Sequence, residues 1–112
     1  MNGRTEDIPG LYATEPISLE DKVIYRRYRI KAIGFYWLIA ELDRKENLAF
    51  GYANLNNDDF AEWGYISIDE IILNGANLDE TWKPCKYKDA MNKIAEERTK
   101  ATKRWEDRWG RR

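Results

Sequence analysis

The sequence predicts an α+β fold: a small antiparallel meander sheet of four to five strands, a short capped helix and a long C-terminal helix. Two observations predict it. Segments rich in β-branched and aromatic residues alternate with short polar loops, a pattern typical of strands joined by hairpins. The stretch from Lys88 to Trp109 contains neither proline nor glycine, which favours one long helix. With 112 residues, the chain has the length of a single domain.

Four segments have the composition of strands. The second is almost entirely apolar, so we expect it to lie in the centre of the sheet. Gly51, in the third, suits a bulge or the close approach of a large neighbouring aromatic side chain. An edge strand or strap is expected around Pro84. The four segments are residues 23–31, 35–42, 48–55 and 62–67.

A capping pattern predicts the short helix. Ser67 and Glu70 match a capping box, in which the serine oxygen accepts the amide of the third helical residue. The helix is expected over residues 68–73. Asn74-Gly75 should end it, because glycine readily adopts the left-handed conformation of a helix cap.

The long helix is expected over residues 89–109, with Asp89 as its N-cap. Residues in steps of three and four from Met91 form one stripe, but Arg98 and Thr102 interrupt its apolar character. We therefore expect the first two turns to dock on the sheet and the remaining turns to extend outward.

The domain organisation follows from composition and charge. Residues 1–7 have no periodic apolar pattern and predict a flexible leader, whereas residues 8–112 predict one α+β domain with a basic helix from about residue 96. Residues 1–82 carry 8 Lys/Arg against 15 Asp/Glu, a net charge of −7, and residues 83–112 carry 11 against 5, a net charge of +6. The body is acidic and the tail is basic.

The longest apolar run, residues 33–40, is far shorter than the roughly 18 residues that cross a bilayer. No secretory signal precedes it, so we expect a cytoplasmic protein without a membrane partner. The chain has no histidine and one cysteine, Cys85, which removes the commonest general base and the four-cysteine zinc site. We expect no catalysis and no cofactor.

Three features of the sequence are weak candidates for chemistry. If the meander brings them together, the carboxylates of Glu41, Asp43 and Glu62 would form the paired acidic groups typical of a metal-dependent nuclease. The polar loop over residues 54–62 offers oxygen ligands but lacks EF-hand spacing, so a solvated loop is the preferred interpretation. Cys85 has Lys83 and Lys86 nearby, and positive charge lowers a thiol pKa, yet an inert thiol is preferred.

A string of motifs in order covers about residues 8–86. The motifs are Leu11-Tyr12-Ala13-Thr14-Glu15, the hydrophobic strand after Asp21-Lys22, Tyr36-Trp37-Leu38-Ile39-Ala40-Glu41-Leu42-Asp43, Phe50-Gly51-Tyr52 and Glu62-Trp63-Gly64-Tyr65-Ile66-Ser67 with Glu70. Together they resemble a small domain-of-unknown-function family of bacterial and archaeal plasmids, conjugative elements and phages. The resemblance implies a mobile-element setting and supplies no reaction and no catalytic residues. The helix after Lys88 is longer than the family pattern requires.

Two functions stay open at this point. The first is a non-enzymatic protein-binding module, an accessory or anti-defence factor that contacts a host or mobile-element protein or a second copy through its C-terminal helix. The second is a nucleic-acid-binding accessory protein that uses the same helix and Arg26, Arg27 and Arg29. The acidic body favours the first. The helix residues expected to make contacts are Lys100, Lys103, Arg104, Trp105, Arg108 and Trp109.

The aromatic residues of the strands allow two interpretations. Exposed rings could stack on nucleic-acid bases, whereas buried rings would form the core that a domain of this size needs. Core packing is preferred. In particular, Trp37, Tyr52, Trp63 and Tyr65 are expected to surround Gly51.

Overall fold

The computed structural model describes residues 7–105 and confirms an α+β fold. A five-stranded antiparallel sheet has the order β5-β4-β3-β2-β6, and β1 and β7 form a separate two-stranded sheet. The strands are β1 Val23–Ile24, β2 Arg26–Ile30, β3 Phe35–Asp43, β4 Leu48–Leu55, β5 Glu62–Ser67, β6 Asn77–Leu78 and β7 Cys85–Lys86. The helices are α1 Ile68–Leu73 and α2 Tyr87–Trp105, with 3-10 turns at Leu19–Asp21, Lys31–Ile33 and Asp58–Phe60.

The predicted first strand is two strands rather than one. The strand is interrupted at Tyr25. The amide of Tyr25 still donates to the carbonyl of Ile39 in β3 at 2.9 Å, but β1, which precedes it, lies outside the main sheet. Strand β1 pairs with β7, which is the expected strap beyond Pro84. The edge of the main sheet beside β2 is occupied instead by β6, a strand that the sequence did not indicate.

The long C-terminal helix is present and begins at Tyr87, but the predicted N-cap is wrong, because Asp89 lies within the first turn of α2. The amide of Tyr87 donates to the carbonyl of Lys22 at 2.8 Å, which fixes the start of the helix against the segment before β1. The start and the cap of α1 are as predicted: the Ser67 hydroxyl accepts the amide of Glu70 at 3.2 Å.

The main sheet separates two apolar layers. One face of the sheet packs against α1 and the segment around Ile8, and its buried residues include Trp37, Ile39 and Ile66. The opposite face, which we call the α2 face, packs against α2. Its buried or half-buried members are Tyr36, Leu38, Tyr52, Trp63, Trp82, Tyr87, Ala90 and Ile94.

The expected aromatic cluster around Gly51 is therefore divided between the two faces. Trp37 lies in the layer of α1, whereas Tyr52 and Trp63 lie on the α2 face. Tyr65 is 57% exposed. The ring of Tyr87 packs against both Tyr52 and Trp63, with centroid distances of 5.2 and 4.9 Å. Because α2 covers these rings, they belong to the core.

A glycine is required at position 51 because the backbone of the neighbouring strand, and not an aromatic ring, lies against it. It pairs with Ile39 beside a bulge in β3, where the register shifts between Ile39 and Glu41. A Cβ atom on residue 51 would lie 1.9 Å from the carbonyl oxygen of Leu38. The expectation of a close approach is correct, but the approaching group is the neighbouring strand itself.

We predict that Gly51→Ala lowers the free energy of unfolding by about 3 kcal/mol, because the methyl group must displace the backbone of β3 at the bulge. Gly64→Ala is the matched control. Gly64 pairs directly with Gly51 in the next strand, but a Cβ atom there meets nothing within 4 Å. Urea unfolding of both variants measures the effect, and equal stabilities would contradict the backbone-contact explanation.

Candidate interaction surface

The second half of α2 projects from the body of the protein. Ala90 and Ile94 are buried on the α2 face, whereas every residue from 95 to 104 is exposed. The apolar stripe ends at Ile94, because the next positions on the same side are Arg98 and Thr102. Residues 95–104 are called the arm below. Four of them are basic and two are acidic.

Two ion pairs hold the base of the arm to the body. Glu97 Oε1 accepts from Arg27 Nη1 at 2.8 Å, and Arg98 Nη1 lies 3.3 Å from Asp58 Oδ2. The ion pairs among described residues do not include Lys100, Lys103 or Arg104. The side chain of Trp105, and Arg108 and Trp109 as a whole, lie outside the part of the chain that the structure describes.

Arg27 is not available for nucleic acid, which corrects its expected role. The register of β2 on β3 places it on the α2 face, where only 5% of the residue is exposed. Its Nη2 and Nε atoms donate to Asp79 Oδ2 at 2.7 and 3.1 Å, and its guanidinium also binds Glu97. The guanidinium carbon lies 5.0 Å from the centre of the Trp82 ring, so stacking completes its surroundings.

The other two arginines that were expected to contact nucleic acid lie on opposite faces of β2. Arg26 is on the opposite face of β2, where its Nη1 donates to the Tyr28 hydroxyl at 2.8 Å. Arg29 shares the α2 face with Arg27 and is half-buried, with its Nη2 atom 3.7 Å from Asp79 Oδ1. The structure therefore does not assemble the three arginines into one patch.

A cationic groove runs between α2 and the adjoining ends of β2 and β3. It has a volume of about 420 Å³, within the range of ligand-binding clefts. The ion pair of the buried Arg27 with the exposed Glu97 lies at one side. Its remaining lining combines three cations with an apolar surface, from Arg29, Lys31, Phe35, Ile94, Arg98 and Ala101. Lys31 forms no ion pair with another described residue.

A second hollow of about 370 Å³ lies further along α2. Arg98, Thr99, Thr102 and Lys103 line it, so Arg98 is shared with the cationic groove. Cationic side chains thus continue from the ends of β2 and β3 onto the arm.

The carboxylates suggested for catalysis are not brought together. Glu41 and Glu62 pair with Phe50 and Ala53 of β4, positions that lie three residues apart and on opposite faces of the sheet. Asp43 lies at the far end of β3, opposite Leu48. Within residues 7–105, no group of three or more histidine, cysteine or acidic side chains is placed to hold a metal ion.

Glu41 has a structural role that sequence reasoning missed. It is buried, and its carboxylate accepts the amides of Tyr12 and Thr14 at 2.8 and 2.9 Å as well as the Thr14 hydroxyl. The buried ammonium of Lys22 donates to the same hydroxyl at 2.8 Å. Burial raises the pKa of Glu41, but these hydrogen bonds outweigh it and lower the pKa below its usual value. The carboxylate anchors the N-terminal segment on the sheet.

The polar loop over residues 54–62 and the thiol of Cys85 also have local structural explanations. The Asn54 side chain donates to Asp58 Oδ1 at 2.8 Å and accepts the amide of Asn57 at 2.9 Å, so the loop residues bind each other. Cys85 is half-buried, and this burial raises the pKa of its thiol. The lowering that adjacent lysines suggested is not found.

Comparisons with known proteins give no match. No family model fits the chain, and neither a search of curated proteins nor a search of solved structures found a similar one. The likeness of residues 8–86 to a mobile-element family therefore stays a prediction from sequence motifs. Among the described helices, neither α1 nor α2 has the length and apolar character needed to span a membrane.

We predict that the ion pair of Asp79 makes stability acid-sensitive. Burial raises the pKa of Asp79, but hydrogen bonds from Thr81 and Arg27 outweigh it and lower the pKa from 3.8 to about 2. A lowered pKa in the folded state means that the pair stabilises the fold above about pH 4 and that this contribution is lost as the pH falls to about 2.

Urea unfolding of the wild type and of Asp79→Asn across this pH range measures the contribution. The variant lacks the carboxylate but keeps its shape, so its deficit in unfolding free energy should be largest near neutral pH and should shrink towards pH 2. A deficit that stays constant with pH would show that the carboxylate does not titrate in this window.

Proposed function

We propose that the protein is a non-enzymatic protein-binding module that uses the arm, residues 95–104, as its contact surface. One observation carries the proposal: the arm is a continuous exposed helical segment, and within residues 7–105 its ion pairs to the body are those of Glu97 and Arg98. A helix that makes so few contacts with its own domain gains little stability from it. A preformed helix of this kind is well suited to docking on another protein.

The alternative function, nucleic-acid binding, has less support. Lys100, Lys103 and Arg104 are exposed and suit phosphate contacts. Arg27, however, is occupied by two carboxylates, and the body carries a net charge of −7. A duplex binder normally presents one dominant basic face. The helix covers the rings of Tyr52 and Trp63 on the α2 face, so these two described rings offer no open stacking platform.

The biological setting that we propose is a mobile genetic element, with the protein acting in the cytoplasm as an accessory or anti-defence factor. This part of the proposal rests on the sequence motifs of residues 8–86 alone. The contact is made with a host or mobile-element protein or with a second copy of the chain, since the tail charge of +6 complements the body charge of −7.

We predict that truncation after Thr99 leaves the fold intact. Such a chain retains Glu97 and Arg98 and loses only residues without described contacts to the body, so the free energy of unfolding should change by less than about 0.5 kcal/mol. Truncation after Ala95 is the comparison. It removes Glu97 and leaves the buried Arg27 with one carboxylate fewer, so this shorter chain should be less stable.

Site-specific photo-crosslinking tests the function itself. A crosslinking amino acid at Thr102, in the arm, should capture a protein in nuclease-treated lysate, and the triple variant Lys100→Glu, Lys103→Glu, Arg104→Glu should reduce the yield. The same crosslinker at Lys45, exposed in the turn between β3 and β4, is the control. Equal capture at both positions, capture of nucleic acid alone before nuclease treatment, or no capture at Thr102 would each contradict the proposal.

A further inference from the structure

The cationic groove and the hollow beside it form one extended surface. Arg98 lines both, so the two spaces of about 420 and 370 Å³ meet at its side chain. Arg29 and Lys31 flank the first space and Lys103 flanks the second. A compact anion would occupy one of the two spaces, whereas an extended chain would cross Arg98 and contact the cations on both sides.

The groove has an apolar side as well as a charged one. Tyr36 lies on the α2 face at the start of β3, and Ile94 and Ala101 line the groove from α2. Burying an apolar side chain there removes exposed hydrophobic surface from water, which is favourable by about 25 cal/mol for each Å². The matching ligand therefore combines acidic groups with at least one bulky apolar group.

The cations keep an excess of positive charge after their own partners are counted. Asp79 and Glu97 neutralise Arg27, and Asp58 lies near Arg98. Arg29 contacts Asp79 only at 3.7 Å, which is longer than a hydrogen bond, and Lys31 has no ion pair with a described residue. Arg29 and Lys31 on one side and Lys103 on the other are thus the groups that an incoming anion would meet.

We propose that this surface binds an acidic peptide segment of a partner protein, with aspartate or glutamate side chains opposite Arg29, Lys31 and Lys103 and an apolar side chain in the groove. The proposal rests on the proposed function and names the chemistry of its partner. A nucleic acid fits less well, because it carries a phosphate at every nucleotide. Glu97 lines this path and Asp58 pairs with Arg98 on it, so both carboxylates would repel some of these phosphates. A peptide can place its charges selectively.

The probe is a short fluorescein-labelled peptide of alternating glutamate and leucine, titrated with the full chain at low ionic strength and followed by fluorescence anisotropy. Lys31→Glu and Lys103→Glu should each weaken binding about tenfold, because each places a like charge opposite the peptide. Lys45→Glu makes the same charge change at a distant exposed site and should change the affinity far less. Added salt should weaken the wild-type complex.

Two further probes separate the components of recognition. A peptide with glutamine in place of glutamate should lose most of the affinity, and one with serine in place of leucine should lose the part due to the apolar lining at Tyr36, Ile94 and Ala101. Oligothymidylate of similar length is the nucleic-acid comparison. Lys31 is exposed, so thermal unfolding of Lys31→Glu should match the wild type and exclude misfolding as the cause.

The outcomes distinguish this proposal from the function on which it rests. If crosslinking at Thr102 captures a protein but neither Lys31→Glu nor Lys103→Glu affects peptide binding, the acidic-peptide site is wrong and the protein-binding function stands. No measurable binding of the glutamate–leucine peptide by the wild type also overturns the site. If oligothymidylate binds more tightly than the peptide and the same two variants weaken it, both proposals fail in favour of nucleic acid.

Discussion

The buried guanidinium of Arg27 is the interaction on which the arrangement of the sheet and α2 depends. It lies in β2 and binds Asp79, which follows the edge strand β6, and Glu97, which lies in α2. It also stacks on Trp82, whose indole donates to the carbonyl of Ile24 at 3.1 Å. One side chain thus joins β2 to the adjacent edge of the sheet and to the helix.

Removing any one member of this network should destabilise the fold. Removing one partner from a buried ion pair typically costs about 3 to 5 kcal/mol, because the remaining charge stays buried without compensation. The net stabilisation from the complete network is much smaller, since burial of each charge offsets most of the attraction. Its main effect is therefore on geometry: it fixes where α2 crosses the sheet and, with that, the direction in which the arm leaves the body.

The features that were predictable from sequence are those with a local cause. Alternating apolar strands, the Ser67 cap and the end of the apolar stripe at Ile94 gave the strands, α1 and the exposed part of α2. The roles of Arg27 and Glu41 were not predictable in this way. Their partners are separated from them by 52 and 70 residues for Arg27 and by 27 and 29 for Glu41, and no local pattern indicates such pairings.

The same distinction applies to Gly51, for which the sequence correctly predicted a close approach but not the neighbouring group that makes it. A glycine within a strand indicates close approach or a bulge, but the sequence does not say which neighbour approaches. The bulge lies in β3, where the apolar run shows no irregularity, and the extra residue, Ala40, has the same apolar character as its neighbours. Only pairing with β4 reveals that the carbonyl of Leu38 occupies the space of a side chain.

The division of cations between structure and recognition follows from burial. Arg27 and Lys22 are buried, and each is held by several oxygen atoms, so neither is free to leave its partners for a ligand. The cations around the groove and on the arm are half-buried or exposed, and their ion pairs are long or solvent-exposed and therefore weak. A ligand that displaces such contacts loses little stabilisation from the protein. Net charge along the sequence does not distinguish buried from accessible cations. The register of β2 on β3 distinguishes them in this strand, because it places Arg27 beneath α2 and leaves Arg29 at the open end of the same face.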